Sequence, residues 1–190
     1  EIDTSGYRSL VDLMQESFRR YAERPAYSFL GQRLSFAELD QRSQQLGAYL
    51  QSLGLVRGDR VAIMLPNVLQ YPIAAAAVLR AGFVVVNVNP LYTARELEYQ
   101  LKDSGAKAIV IIENFAITLQ KCIAETQVKH VVLCAMGDML RMPKGALVNF
   151  VVRHVKNLVP SFYLPRAVKF NQAVSRGQRA TFVKPLIKSD

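Results

Sequence analysis

The residues that could do chemistry are few and scattered. Cys122, His130 and Cys134 are metal-ligand types, and His130 and Cys134, four apart on an extended segment, would share one face. A zinc site needs a fourth ligand and a closely spaced ligand pair, and the sequence offers neither, so core packing is their expected role. Of the two histidines, His130 falls in an apolar run and His154 in a basic one. No nucleophile elbow lies near either, which argues against Ser-His-Asp catalysis. Glu96 and Glu98 resemble paired carboxylates but fall in the first turn of an expected helix, where acids complement the dipole. No GxGxxG and no GxxxxGK[ST] occurs, so neither a dinucleotide fingerprint nor a P-loop is encoded. Gly54 and Gly58 read as a helix stop and a turn. These residues define no catalytic constellation and no metal site.

The frame that would position chemistry is clearer. Residues 61–65 are a short apolar run without alternation, as in a parallel strand covered on both faces, and Val84, Val85, Val86 and Val88 repeat that character. Between them residues 68–81 have the length and the Ala/Leu content of a helix, with Asn67 able to cap it and Gly82 to end it. Strand, helix and strand make a βαβ unit with a right-handed crossover. Asn87, Asn89 and Pro90 stop its second strand. Ligands of open α/β sheets gather beyond the carboxyl ends of strands, so residues after Leu65 and after Val86 are where binding is expected.

The rest of the chain fits that frame. Ser9 with Asp12 starts a first helix, with Leu10, Leu13, Met14, Phe18 and Tyr21 on one face. Residues 26–35 read as a hairpin turning at Gly31-Gln32. Ser35 with Glu38 caps a second helix, with Phe36, Leu39, Leu46, Leu50 and Leu53 inward. Thr93 with Glu96 caps another, carrying Leu97, Tyr99 and Leu101 to Gly105. Ala108–Ile112 is a strand, residues 115–126 a helix, and His130–Cys134 a strand. Strands recur about every 23 residues, close to the shortest convenient βα period. The fold class is therefore α/β: a mostly parallel sheet with helices on both faces, a small amino-terminal hairpin, and a basic amphipathic carboxy-terminal extension. The expected division is an α/β subdomain over residues 1–134 and the extension over 135–190, in which residues 181–183 are a candidate returning strand.

Charge separates the same two parts. The chain has 190 residues, is 51% hydrophobic and 21% charged, and carries a net charge of +9. Residues 1–128 hold 13 basic and 13 acidic side chains; residues 129–190 hold 11 basic against Asp138 and Asp190, so 11 − 2 gives the whole +9. A nucleic-acid binder basic over its whole surface is not built this way, whereas a neutral domain with a basic attachment surface is. No run reaches the roughly 18 apolar residues that span a bilayer, and no signal sequence opens the chain. Two cysteines without framework spacing fit a reducing compartment, and the chain is read as cytosolic. Glu1 in place of Met, and an ending without a closing element, suggest a piece of a longer protein.

Two stretches carry a resemblance. GDRVAIMLPNVLQYP, followed by LRAGFVVVNVNPLYTARELEYQLKDSGAKAIVI, resembles the amino-terminal region of the adenylate-forming acyl-CoA ligases, most closely the bacterial long-chain fatty acid–CoA ligases. YRSLVDLMQESFRRYAERPAYSFLG and KGALVNFVVRHVKNLVPSFYLP are similar to the same subgroup. The resemblance implies a parent enzyme that uses ATP, Mg2+ and CoA to convert a fatty acid to acyl-CoA, AMP and pyrophosphate. The family's phosphate loop, later adenylate-binding motifs and lid lysine are absent from this sequence, so the segment alone is expected to be inactive. The resemblance also makes Asn89, Pro90, Leu91 and Tyr92 candidate neighbours of the CoA entrance; the plainer reading is a strand-ending turn and helix cap. The implied partners are the rest of the ligase, its fatty acid and a second copy in a homodimer.

Residues 146–159 read as an amphipathic helix. Leu147, Val148, Val151, Val152, Val155, Leu158 and Val159 fall within an arc of roughly 140°, opposite Asn149, Arg153, Lys156 and Asn157, with Phe150 on the polar side. Arg141, Lys144, Phe150, Arg153 and Lys156 are candidate contacts to an anionic membrane, placing the protein peripherally at the inner face of the cell membrane. Burial of the apolar arc against another domain is the alternative for this helix. For the whole chain, the alternative is a non-catalytic module binding an anionic membrane or nucleic-acid surface.

Overall fold

A computed structural model gives the structure of the protein and describes residues 7 and 9–185. Expectations touching residues 1–6, 8 and 186–190, among them the outer ends of both expected parts, lie outside the described residues.

Helix α1 (Leu10–Arg20) starts where Ser9 Oγ accepts the Asp12 amide at 3.1 Å. Val11 and Phe18 are buried and Met14 packs on the core, but Leu10 and Leu13 are exposed. At 100° per residue Val11 lies about 20° from Phe18 around the helix, Leu10 about 80° and Leu13 about 140°. Phe18 faces Phe36, ring centroids 6.5 Å apart, and that contact turns the expected stripe.

Strands β1 (Pro25–Phe29) and β2 (Gln32–Ser35) form the hairpin, with Phe29 opposite Gln32. The turn is Leu30-Gly31, one residue earlier than expected, with φ of 47° and 77°. Two positive φ values match the right-handed twist of the strands, and the register leaves Gln32 paired. Helix α2 (Phe36–Ser52) opens with a full capping box: Glu38 Oε2 accepts the Ser35 amide at 2.9 Å and Ser35 Oγ accepts the Glu38 amide at 3.1 Å.

Strand β3 (Arg60–Met64), helix α3 (Gln70–Arg80) and strand β4 (Val84–Asn87) follow, with β3 and β4 adjacent and parallel. Asn67 does not cap α3. The Val68 amide turns back to the Pro66 carbonyl at 2.8 Å, so the helix starts later, behind Leu69 and without a side-chain cap. Val84 is exposed because β4 is an edge strand, not one covered on both faces.

Helix α4 (Ala94–Ser104) is capped by Thr93 and Glu96 and closed by Gly105 at φ 61°. It buries Leu97 and Leu101, while Tyr99 faces solvent. Between β5 (Ala108–Ile112) and β6 (His130–Cys134) the expected single helix is broken into a 3-10 turn (Glu113–Phe115), helix α5 (Ala116–Gln120) and a second 3-10 turn (Ile123–Glu125). The Cys122 thiol and Thr126 hydroxyl hydrogen-bond preceding carbonyls there, which competes with the helical ladder.

Helix α6 (Lys144–Phe150) passes into a π-helical turn (Val151–Val155), and Asn157 has φ 48°. This helix is earlier and shorter than the one expected over 146–159. The returning strand is β7 (Val168–Lys169), beside β6, not residues 181–183. Helix α7 (Phe170–Gln178) accounts for the difference: Phe170, Ala173, Val174 and Gly177 follow the i, i+3, i+4, i+7 pattern and are buried. A Cβ on Gly177 would lie 1.7 Å from the Gln45 carbonyl oxygen, so its bareness sets how closely α7 meets α2.

The sheet order is β4-β3-β5-β6-β7, all parallel. Val61, Ile63, Val110 and Cys134 face α2, α3 and α7; Ala62, Met64, Ile109, Ile111 and Val131 face α4 and α5. β7 and α7, which follow Cys134, join this core.

Candidate functional site

Loops after β3, β4, β5 and β6 converge at the carboxyl edge of the sheet, where a parallel α/β domain binds its ligands. The β4 side is polar and internally bonded. Tyr71 Oη donates to Asn87 Oδ1 at 3.0 Å, and Gln100 Nε2 to the Asn87 carbonyl at 2.8 Å. Asn89 Oδ1 accepts the Leu91 amide at 3.0 Å, and the Asn89 carbonyl accepts the Tyr92 amide at 3.1 Å. Asn89 and Leu91 are exposed, Pro90 half-buried, and Tyr92 packs on the α4 side of the core.

The β6 side holds the buried charges. Glu113, at the end of β5, accepts two hydrogen bonds from Arg153, from Nε at 2.9 Å and Nη2 at 2.8 Å. Asp138 Oδ2 accepts the Ala135 amide at 2.7 Å, and Asn149 Oδ1 accepts the Gly137 amide at 2.7 Å. Burial pushes the Asp138 carboxyl above its ordinary range; the Ala135 amide opposes this, Glu113 adds to it, and Arg153 and Lys169 oppose it. A cleft of ≈ 500 Å³ opens here, lined among others by Asp138, Asn149, Phe150, Arg153, His154 and Asn171. Gln70 Nε2 ties α3 to this edge through the Ala135 carbonyl at 2.8 Å.

The α6 segment is turned opposite to a helix that buries its apolar arc. Its polar residues Asn149 and Arg153 hold it to the sheet, and Leu147, Val155 and Leu158 are 61%, 58% and 56% exposed. Of the five candidate membrane contacts, Arg153 is committed to Glu113. Lys144 Nζ donates to the Leu30 carbonyl, and Arg141 lies beside the hairpin with Glu23 and Glu38. Phe150 is exposed, its ring 5.2 Å from that of His154, and Lys156 is exposed.

The three metal-ligand types do not meet. Cys134 lies in the α2, α3 and α7 side of the core, Cys122 in the α4 and α5 side, and His130 at the opposite, amino end of β6. Burial pushes the Cys122 thiol to about 11 and Cys134 well above its ordinary value, while burial, then Lys129, lowers His130. Among the described residues no group of three or more His, Cys, Asp or Glu could hold a metal ion. Glu113 and Asp138 are the ionisable groups the sequence reading missed. Their signal is position: each follows an apolar strand at the carboxyl edge.

Parallel strands with helices on both faces and a polar carboxyl edge define an open α/β domain. The sequence profile of the "AMP-binding enzyme" family matches residues 14–175, and the chain belongs to that family. It is 55% identical over 186 residues to a long-chain-fatty-acid–CoA ligase of Yersinia pestis, covering 97% of this chain and 33% of the relative. It is 53% identical over 190 residues to the enzyme of that description in Haemophilus influenzae, covering 100% of this chain and 34% of the relative. The chain thus spans about a third of the length of the curated relatives it matches. In fold it is similar to an anthranilate CoA ligase solved with anthranoyl-AMP, with TM-score 0.75 and 16% identity over 99% of this chain and 32% of that one. The alternative of a non-catalytic surface-binding module finds no support among these relatives. Among the described residues no helix is long and apolar enough to cross a membrane.

Proposed function

We propose that the chain is the amino-terminal scaffold of an AMP-forming long-chain fatty acid–CoA ligase, joining fatty acid, ATP and CoA to give acyl-CoA, AMP and pyrophosphate. The observation that carries this is the 55% identity across 97% of the chain to a relative of that description. The residues here contribute a rigid sheet and a bonded carboxyl edge. Transition-state stabilisation of a transferring nucleotide group needs aimed amides and a cation, which the remainder of the ligase would supply with Mg2+. Asn89, Pro90, Leu91 and Tyr92, fixed by the Asn89 turn, are proposed neighbours of the CoA entrance. The test is pyrophosphate release from ATP. The full-length protein should show it only with fatty acid present, and residues 1–190 alone should not. Turnover by the isolated segment, abolished by a substitution within it, would overturn the assignment of the active site to the remainder.

A second reading concerns location: the α6 segment is proposed to rest on an anionic membrane surface, where long-chain substrates partition. Its support is the outward row Leu147, Phe150, Val155 and Leu158, with Lys156 exposed in the same segment. With Arg153 committed to Glu113, Lys144 turned to the Leu30 carbonyl and Arg141 beside Glu23 and Glu38, Lys156 is the basic residue left to face an anionic leaflet, worth about 1 kcal/mol there. Co-sedimentation of the full-length protein with anionic vesicles should fall with salt and weaken in Lys156→Glu and Leu147→Asp. Binding unchanged in both removes this segment from the reading. Homodimerisation belongs to the same proposal and is checked by light scattering.

A further inference from the structure

Helix α4 turns a bare, self-complementary face to solvent. Leu97 and Leu101 are buried on its inner side. At 100° per residue Tyr99 therefore points directly outward, with Arg95 and Asp103 about 40° to either side of it. Tyr99 is 74% exposed, and Arg95 and Asp103 are exposed with it. These three residues, four apart in sequence, make one ridge on the helix surface. Tyr92, Glu96 and Gln100 stand beside that ridge, and the two rows line a hollow of ≈ 420 Å³.

The two charges on the ridge are unused within the described chain. Every other charge of the helix is engaged: Glu96 Oε2 accepts the Thr93 amide at 2.8 Å, and Lys102 Nζ meets Glu98 Oε1 at 2.6 Å. Arg95 and Asp103 make no ion pair or hydrogen bond with a described residue. Both also oppose the helix dipole, which disfavours a cation in the first turn and an anion in the last. The stability of α4 therefore does not account for either.

We propose that α4 is a self-association surface, and that its occupant is α4 of a second copy of this chain. Ridges four residues apart seat in each other's grooves when two helix axes cross near about −50°. Charge then selects the sense of packing. The antiparallel sense sets Arg95 beside Asp103 of the partner subunit, twice in each dimer, with Tyr99 near the two-fold axis; the parallel sense would bring like charges together. Tyrosine at the centre supplies the aromatic area that interface cores favour. A helix of 11 residues covers less than the roughly 1,200 Å² of a stable interface, so the dimer is weak and concentration-dependent, in the micromolar range or above. Crossed axes part toward the helix ends, which leaves Asn89, Pro90 and Leu91 open beside the contact. The inference rests on the homodimer proposed above and gives it a surface; it does not depend on the ligase activity.

The test is sedimentation equilibrium of the full-length protein over a range of concentrations at low salt, with circular dichroism to check folding. The proteins are wild type, Arg95→Asp, Asp103→Arg and the double reversal. Each reversal agrees with the helix dipole, so the fold is expected to hold. Each single variant should associate at least roughly tenfold more weakly, because two like-charge contacts replace two attractive ones. The double reversal should return to within about threefold of wild type, and an equimolar mixture of the two single variants should associate where neither does alone. If a single variant does not fold, Tyr99→Lys takes its place: near the two-fold axis it sets two cations together and should abolish association. Single variants or Tyr99→Lys that dimerise like wild type would overturn the α4 surface and leave homodimerisation to another face. Impaired single variants with no rescue, either by the double reversal or by mixing, would overturn the antiparallel pairing. A wild type that stays monomeric would sink homodimerisation itself, and this surface with it.

Discussion

Replacing Arg153 should cost more stability than replacing the glutamate it pairs with. The Glu113 side chain is 6% exposed and Arg153 40%, and the two share a bidentate contact. Arg153→Leu leaves a buried carboxylate without its cation. Breaking a fully buried pair this way costs about 3–5 kcal/mol, but water reaches Arg153 and screens the pair, so about 2 kcal/mol is expected. Glu113→Gln strands no buried charge, because the guanidinium can turn to solvent, and about 1 kcal/mol is expected. In a chain this long, a loss of 2 kcal/mol corresponds to a Tm lower by roughly 4–8 °C. Urea unfolding at neutral pH, followed by far-UV circular dichroism and extrapolated linearly, separates the two values. Equal losses, or an Arg153→Leu loss below about 0.5 kcal/mol, would show that the pair behaves as an ordinary surface contact. The same logic disqualifies Arg153→Glu as a membrane-binding probe, since it would set two carboxylates together at a buried site.

Three further outcomes follow from the site and the core. Because the Asp138 carboxyl is raised, its contribution is fully present below the ordinary carboxylate range and is lost as pH rises through the folded value. Asp138→Asn keeps an acceptor for the Ala135 amide, so it should match wild type in acid and be the more stable of the two at neutral pH; urea melts showing the reverse order would contradict this. Cys122, pushed to about 11, and Cys134, higher than its ordinary value and fully buried, should resist iodoacetamide in the native protein and react after unfolding. Rapid native labelling would contradict their placement. Gly177→Ala puts a Cβ 1.7 Å from the Gln45 carbonyl oxygen, so α2 and α7 must separate at a cost of about 3 kcal/mol or more, read as a lowered Tm.

The parallel sheet was legible because its signals are local. β5 is an unbroken apolar run, β3 and β6 are apolar after their first residues Arg60 and His130, and the Ser35–Glu38 and Thr93–Glu96 boxes mark helix starts by chemistry that acts over three residues. Errors appear where two local signals compete or where a distant partner decides. Asn67 is a good cap by type, but Pro66 and Val68 close a tighter turn before it can serve. Helix α7 carries a clear pattern in Phe170, Ala173, Val174 and Gly177, yet it is short, flanked by basic residues, and convincing only once α2 offers the groove for Gly177. Glu113 gave no motif at all; its meaning depends on Arg153, 40 residues later.

The α6 segment shows why the orientation of a helix was the least readable feature. Periodicity establishes that a helix has two unlike faces and leaves open which one turns inward. An apolar face is the usual choice, because burying it stabilises by about 25 cal/mol per Å². Here the choice is made by what waits on the sheet: the Glu113 carboxylate and the Gly137 amide each need a polar partner, and Arg153 and Asn149 supply them from one side of the helix. A buried carboxylate left unpaired costs more than a few exposed valines and leucines, so satisfying Glu113 fixes the rotation. Leu147, Val155 and Leu158 are then held outward by an internal ion pair, and whatever covers them in the whole protein meets a face oriented by Glu113 from the far side of the helix.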